Sequence, residues 1–286
     1  MGVEAHLYHS NSEVISWYES KTESIIEKYG SGPKIHFHTG YFDDGENPSK
    51  NEFELRRQLI RSQEKLLKNA FRFWDKESTV GSSVLDVGCG LGGTSIFLAK
   101  KYDMNVIALT NVPTHAKLTE EYVKEACVSD KVKVALGDAC QYSGELILDS
   151  AIALESSCYL ERYEWFRRLS KILKKGGHVY ISDCFTPSIN IAKPFNEYWL
   201  TRVGSLNEYL EAAEKGGFEL ETFKDLTSHT VDFWRFNIAY QAMRLKKTKS
   251  VKESERLQKS IEWQQNLHRI WGGGRIQYGL LSFRFK

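Results

Sequence analysis

The spacing of apolar positions changes character near residue 83. Before it, the chain reads with a helical period. Val14, Ile15, Trp17, Tyr18, Ile25 and Ile26 predict a helix over 12–29, with Ser12 as its cap and YGSGP as its end. Leu55, Leu59, Leu66, Leu67, Ala70 and Phe71 put one apolar stripe on a long helix over 51–74. Between them, KIHFHTGYFDDGENP (34–48) reads as a loop dense in histidine and aromatic residues. From residue 83, short apolar runs alternate with amphipathic stretches. SVLDVG, NVIALT, VKVALGD, LDSAIALES and GGHVYISDC read as strands, with GTSIFLAKKY, THAKLTEEYVKEAC and YEWFRRLSKILKK as helices between them. Strands apolar along their whole length are covered on both faces, so the pattern predicts a parallel α/β sheet with helices on either side.

After residue 185 the pattern loosens. TPSINIAKPFNEYWLTRVG reads as a mostly helical, aromatic-rich insertion, and residues 205–227 as helix, glycine stop and strand. Residues 229–269 are helical, with a polar run over 244–260 that reads as a solvated face or a turn. The last apolar run, in GGGRIQYGLLSFRF, is a final strand expected to be antiparallel at the end of the sheet.

Composition narrows the picture by exclusion. The 286 residues carry a formal charge of only +2 and no long single-sign block, which argues against a nucleic-acid surface. The longest apolar runs fall far short of the ~20 residues of a membrane helix. The opening MGVEAHLYHSNSEV lacks a basic start followed by an apolar core, and a cytoplasmic location is expected. The five cysteines (89, 127, 140, 158 and 184) form no CxxC pair and read as reduced thiols, not as a metal site.

The chemistry is concentrated in VLDVGCGLGGTS, residues 84–95. A strand that enters a helix through a glycine turn gathers free N–H groups and a positive helix end at one point. Gly88, Gly90 and Gly93 satisfy GxGxxG, a pattern that would also suit a dinucleotide. However, a nicotinamide site needs an acid near the end of the second strand, where this chain has ALTN. Asp86, two residues before the first glycine, can instead face a cationic amine. Asp138 of GDA, with Ala139 beside it, can accept from an exocyclic adenine amine. Two acids around a glycine loop fit S-adenosylmethionine (SAM), whose methionine part is zwitterionic and whose sulfur is cationic.

The stretch resembles motif I of the class I SAM-dependent methyltransferases, and GDA resembles their adenine motif, with residues 80–185 covered well. The resemblance implies a Rossmann-like, doubly wound, seven-stranded sheet, mostly parallel with an antiparallel last strand, over residues 76–286. Helical cap insertions are expected near 186–204 and 229–270, and residues 1–75 as an N-terminal helical lid with an active-site loop. Where many members carry a ribose-binding acid, this chain has Thr110 and Asn111. TNVPTHA is similar to the TLSPxQ segment of the small-molecule branch, which puts His115 where a glutamine contacts the cofactor; an ordinary helix histidine is the alternative.

The HxHxGYF loop likewise resembles that of tocopherol-type and geranyl diphosphate C-methyltransferases. It implies Tyr18 and Thr39 as cofactor contacts, Tyr41 as pocket wall and His38 as a candidate base. His36 and His38 allow a metal pair or, more simply, packed side chains. Glu155, in ALESSCYLER at the rim of the fourth strand, matches the Glu of those enzymes' ES segment and is the expected catalytic carboxylate. Tyr159, Phe185, Trp199, His229 and Trp234 are the expected acceptor contacts. No metal site is expected. Mg2+ would enter only with a diphosphate acceptor, for which Arg56, Arg57, Arg61 and Arg202 are available. The expected partner is a lipophilic small molecule, with no nucleic acid and with an oligomer left open. A macromolecular methyltransferase and a SAM-binding module without catalysis stay as rival classes.

Overall fold

The computed structural model describes residues 11–30, 32–74, 82–144 and 147–286. The N-terminal leader reading and the boundary expected between 75 and 76 lie outside the described residues. Two long helices come first, α1 (Asn11–Tyr29) and α2 (Glu52–Trp74). The α/β core follows as β1 (Ser83–Val87), α3 (Gly93–Tyr102), β2 (Asn105–Thr110), α4 (Pro113–Glu125), β3 (Val132–Leu136), β4 (Leu148–Leu154), α5 (Arg162–Ile172) and β5 (Leu173–Phe185). The C-terminal part comprises α6 (Ile189–Trp199), α7 (Leu206–Lys215), β6 (Phe218–Asp225), the one-turn α8 (Thr227–Thr230), α9 (Asp232–Lys247), α10 (Val251–Gly272) and β7 (Gln277–Phe285).

The seven strands form one sheet in the order β3-β2-β1-β4-β5-β7-β6. β1 to β5 pair in parallel, and β7 runs antiparallel to both neighbours. The last strand is therefore antiparallel as expected, but it is not at the sheet's end. It is inserted between β5 and β6, fully buried over most of its length, and β6 takes the half-exposed edge. An apolar strand gains more from an interior position than the polar FELETFKD does.

Each face of the sheet carries its own core. Leu66, Leu67, Phe71 and Trp74 of α2 cover one face, where Trp74 stacks on Tyr180 at 5.3 Å. Trp165, Phe166 and Leu169 of α5, with Tyr209 of α7, fill the other against Phe283 and Phe285. The sheet reverses direction of winding between β1 and β4, and the crevice beyond their carboxyl ends is where doubly wound folds bind ligands. α9 and α10 form an antiparallel pair over that crevice. The polar run that joins them divides: Thr248 caps α9, Ser250 caps α10, but Leu257 is fully buried. The reading of 244–260 as a solvated face or a turn holds for most of the run, Arg256 included, but Leu257 is buried, and Arg244, Arg256 and Ser260 also line a cavity.

Candidate functional site

β1 delivers Asp86 and then turns through Gly88–Gly92 into α3. Gly90 has φ +54°, and a Cβ there would meet nothing within 4 Å, so the turn leaves open space above the helix end. Gly93 is needed for the opposite reason. A Cβ on it would lie 2.0 Å from the Ile35 carbonyl oxygen, so the loop carrying His36 and His38 sits directly on the start of α3. The resulting cavity of about 120 Å3 brings together Tyr18, His38, Asp86, Gly88, Gly90, Thr110, Asn111, His115, Asp138, Ala139, Glu155 and Tyr159. Thr39 is not among its walls.

Its polar groups are individually held. The Ser95 hydroxyl donates to Asp86 Oδ2 at 2.5 Å, yet burial dominates and pushes the Asp86 carboxyl up to about 6. A cationic ligand would restore the charge that burial disfavours. Asp138 accepts from the Cys140 N–H and from Asn11 Nδ2, both at 2.8 Å, the latter from the first residue of α1. Thr110 Oγ1 accepts from the Val112 N–H at 3.2 Å, whereas the Asn111 side chain has no hydrogen bond among the described residues. His115 Nε2 lies 3.0 Å from the Thr22 hydroxyl, and its ring meets Tyr18 edge-on at 5.4 Å. Glu19 accepts from the Thr114 N–H and hydroxyl at the start of α4. These contacts strap α1 across the cavity, and His115 acts in the strap.

A second cavity, of about 290 Å3, adjoins the first. Tyr18, Phe37, His38, Glu155 and Tyr159 line both, and the Tyr18 hydroxyl donates to Tyr159 Oη at 3.0 Å. Glu155 stands at this junction with φ +50°, a left-handed conformation that costs a non-glycine residue about 1–3 kcal/mol. Its N–H donates to Ser182 O at 2.8 Å, and its Oε1 accepts from the Thr39 N–H (2.8 Å), Thr39 Oγ1 (2.5 Å) and Tyr278 Oη (2.8 Å). Burial outweighs these bonds and pushes the Glu155 carboxyl up to about 7. Thr39 thus holds Glu155 on the second cavity's side. His38 Nδ1 donates to Thr39 O at 2.6 Å, and its buried Nε2 has no partner among the described residues. Burial lowers its pKa to about 3, so it is a neutral hydrogen-bond acceptor and a poor proton base near neutrality.

Trp199 and Trp234 line the second cavity, with Phe195, Phe233, Trp271 and Tyr278. Three expected acceptor contacts do not. Phe185 follows Cys184 on β5, and successive strand residues point to opposite faces. Cys184 lines the cavity, while Phe185 packs on Tyr209 in the other core at 5.1 Å. Tyr41 and His229 stack on each other at 4.3 Å outside both cavities, where the Phe42 N–H pairs with His229 O at 2.9 Å. The arginines set aside for a diphosphate are elsewhere too. Arg56 donates to Lys28 O at 2.7 Å, Arg57 and Arg61 face Glu54, and Arg202 lines neither cavity. The cations that do reach the second cavity include Lys28, Arg244 and Arg256, and they were missed, as was Tyr278. The polarity of 244–260 was the signal for two of them; Tyr278 had none, since β7's position depends on long-range pairing.

The mycolic acid cyclopropane synthetase family matches residues 56–266. The chain belongs to this family. Its class I methyltransferase resemblance is shown by that match and by the relatives. A probable chloroplastic tocopherol O-methyltransferase of Oryza sativa subsp. japonica is 29% identical over 216 residues, covering 70% of this chain and 58% of that protein. Ajmaline N-methyltransferase of Rauvolfia serpentina is 26% identical over 196 residues, 64% of this chain and 66% of that one. The chain therefore spans about half to two thirds of the length of the curated relatives it matches. Among solved structures, geranyl diphosphate C-methyltransferase from Streptomyces coelicolor A3(2), in complex with Mg2+, geranyl diphosphate and S-adenosyl-L-homocysteine, superposes with a TM-score of 0.76 at 17% identity, over 99% of this chain and 100% of that one. The fold is thus common to both. Among the described residues no helix is long and apolar enough to cross a membrane, and no group of three or more His, Cys, Asp or Glu could hold a metal ion.

Proposed function

We propose that this chain transfers a methyl group from SAM to a lipophilic small molecule, at a carbon of a prenyl or terpenoid chain. One observation carries the reading: Glu155 stands in the wall shared by a cavity of acid–glycine–acid chemistry and an aromatic cavity. When bound, SAM supplies an activated methyl on a cationic sulfur. On this reading Asp86 holds its ammonium group, Asp138 its adenine amine, and Asn111 a ribose hydroxyl. α1 is the lid, and Tyr18 and Tyr159 are aromatic faces near the sulfonium, an attraction of roughly 0.5–2 kcal/mol.

The acceptor would lie beyond Glu155. Fixing its reactive atom in line with the methyl supplies on the order of 7–11 kcal/mol of the barrier. The aromatic cap excludes water from the junction. Attack by an alkene carbon leaves positive charge on the neighbouring carbon. The Glu155 carboxylate steadies that charge and takes the adjacent proton, so that a double bond re-forms and Glu155 is left protonated. Turnover of labelled SAM against prenyl diphosphates, indoles and phenols tests the reading. A methylated prenyl product is expected; no transfer to any acceptor would overturn it.

Nitrogen of an alkaloid-like amine is the second reading, favoured by the ajmaline relative and by a buried carboxylate among aromatic rings, which suits an ammonium product equally. The position of the label in the product separates the two. Tyr278→Phe adds a check on the carboxylate. With one of its three hydrogen bonds gone, Glu155 should titrate higher still, and the midpoint of kcat/KM against pH should rise. A midpoint unchanged or lower would mean that Glu155 does not set the profile.

A further inference from the structure

The second cavity is chemically graded. Four helices line it, and three of them, α1, α9 and α10, carry aromatic residues toward one end and a cation toward the other, while α6 adds Phe195, Tyr198 and Trp199. On α9, Phe233 and Trp234 are followed by Asn237, Gln241 and Arg244, one or two turns apart on one face. The ten steps from Trp234 to Arg244 span about 15 Å at about 1.5 Å per residue. α10 runs antiparallel, from Arg256 through Ser260 and Gln264 to Trp271. α1 runs from Tyr18 to Lys28. The aromatic ends converge: Trp234 meets Trp271 at 5.6 Å, Trp271 stacks on Tyr278 at 6.0 Å, and Tyr278 bonds Glu155. The cationic ends converge as well, since Glu253 bridges Arg244 and Arg256 at 3.3 and 2.7 Å and Glu27, next to Lys28, reaches Arg244 at 2.7 Å.

The two glutamates leave this end short of negative charge. Lys28 has no acidic partner among the described residues; its ammonium lies over the Tyr29 ring at 4.9 Å. Burial, then the like charges of Arg244 and Arg256, lower its pKa to about 7. Independently, Trp263 has a buried indole N–H without a partner among the described residues, a donor for an oxygen head, while the unpaired amide oxygens of Gln241 and Gln264 are acceptors that ask for a donor on the ligand or a water. Buried polar atoms of this kind are rare unless a ligand or water satisfies them.

We infer that the acceptor is an amphiphile, with an apolar body among the tryptophans and an anionic oxygen head, carboxylate or phosphate, held by Lys28, Arg244 and Arg256. This rests on the methyltransferase reading for the word acceptor, but not for the binding. The head then lies about 15 Å along α9 from Trp234, so the acidic group and the part of the molecule beside Trp234 are at opposite ends.

The test is binding of dodecanoate, dodecyl phosphate and dodecanol to the whole chain, followed by tryptophan fluorescence and calorimetry. At least one of the two anions should bind about tenfold or more tightly than the alcohol, and the tighter one identifies the head. Lys28→Met should abolish the preference by weakening the anion and leaving dodecanol unchanged, while Lys28→Arg should keep it. Equal affinities in the native chain, or a preference that survives Lys28→Met, would overturn the inference. SAM affinity, measured alongside, is independent of Lys28. Turnover without the preference would sink the head-group site alone, and the preference without turnover would sink methyl transfer alone.

Discussion

Replacing Glu155 by glutamine is expected to lower turnover by about 100-fold or more, while SAM affinity stays within about twofold. Glutamine keeps the size of the side chain and still offers an oxygen to Thr39 and Tyr278. It removes the negative charge that would steady the acceptor, and the site that would take its proton. The native profile should show the group directly. With Glu155 titrating at about 7, kcat/KM should rise as the pH passes upward through that value, because the ionised form is the active one. The glutamine variant should lose that rise. A variant that turns over normally with its true acceptor, or that keeps the ionisation, would remove Glu155 from the chemistry.

Asp86→Ala should weaken SAM binding by about 100-fold or more, the loss expected when a buried ammonium is left without its counter-charge. Calorimetry with an unchanged affinity would refute the assignment of the loop. The same variant carries a signed stability test. The folded-state pKa of Asp86, about 6, lies above its ordinary value of 3.8. The folded protein therefore binds this proton more tightly, and the group's contribution to stability is full below 3.8 and is lost as the pH rises through about 6. The melting temperature of Asp86→Ala relative to the native chain should consequently improve between pH 4 and pH 7. A relative melting temperature that falls over that interval would mean that Asp86 is stabilised as the anion.

Much of this was legible in the residues because it is local. Strand–helix alternation follows from apolar periodicity, and the glycine turn from the need for bare main chain at Gly90 and close approach at Gly93. A segment of this kind carries its meaning within a dozen residues. This is why Asp86, Asp138, Glu155 and the neighbours of the first cavity were found together. Phe185 was misplaced by a single position in strand register, although alternation alone puts it opposite Cys184. Tyr41 and His229 were aromatic and near in sequence to real wall residues, but they satisfy each other.

The sequence by itself determined the α/β alternation, the acid–glycine–acid chemistry and the carboxylate at the rim of β4, because each depends on neighbours along the chain. Only the tertiary structure decided that β7 enters between β5 and β6 and carries Tyr278 to Glu155. It alone turned Thr39 toward that carboxylate, and brought the ends of α1, α9 and α10 together so that Lys28, Arg244 and Arg256 share a cavity. Tyr278 and Thr39 each lie more than a hundred positions from Glu155, and Lys28 lies further still from Arg244 and Arg256. Their partners are chosen by which faces the packed helices and paired strands leave for one another, a quantity that no local pattern encodes.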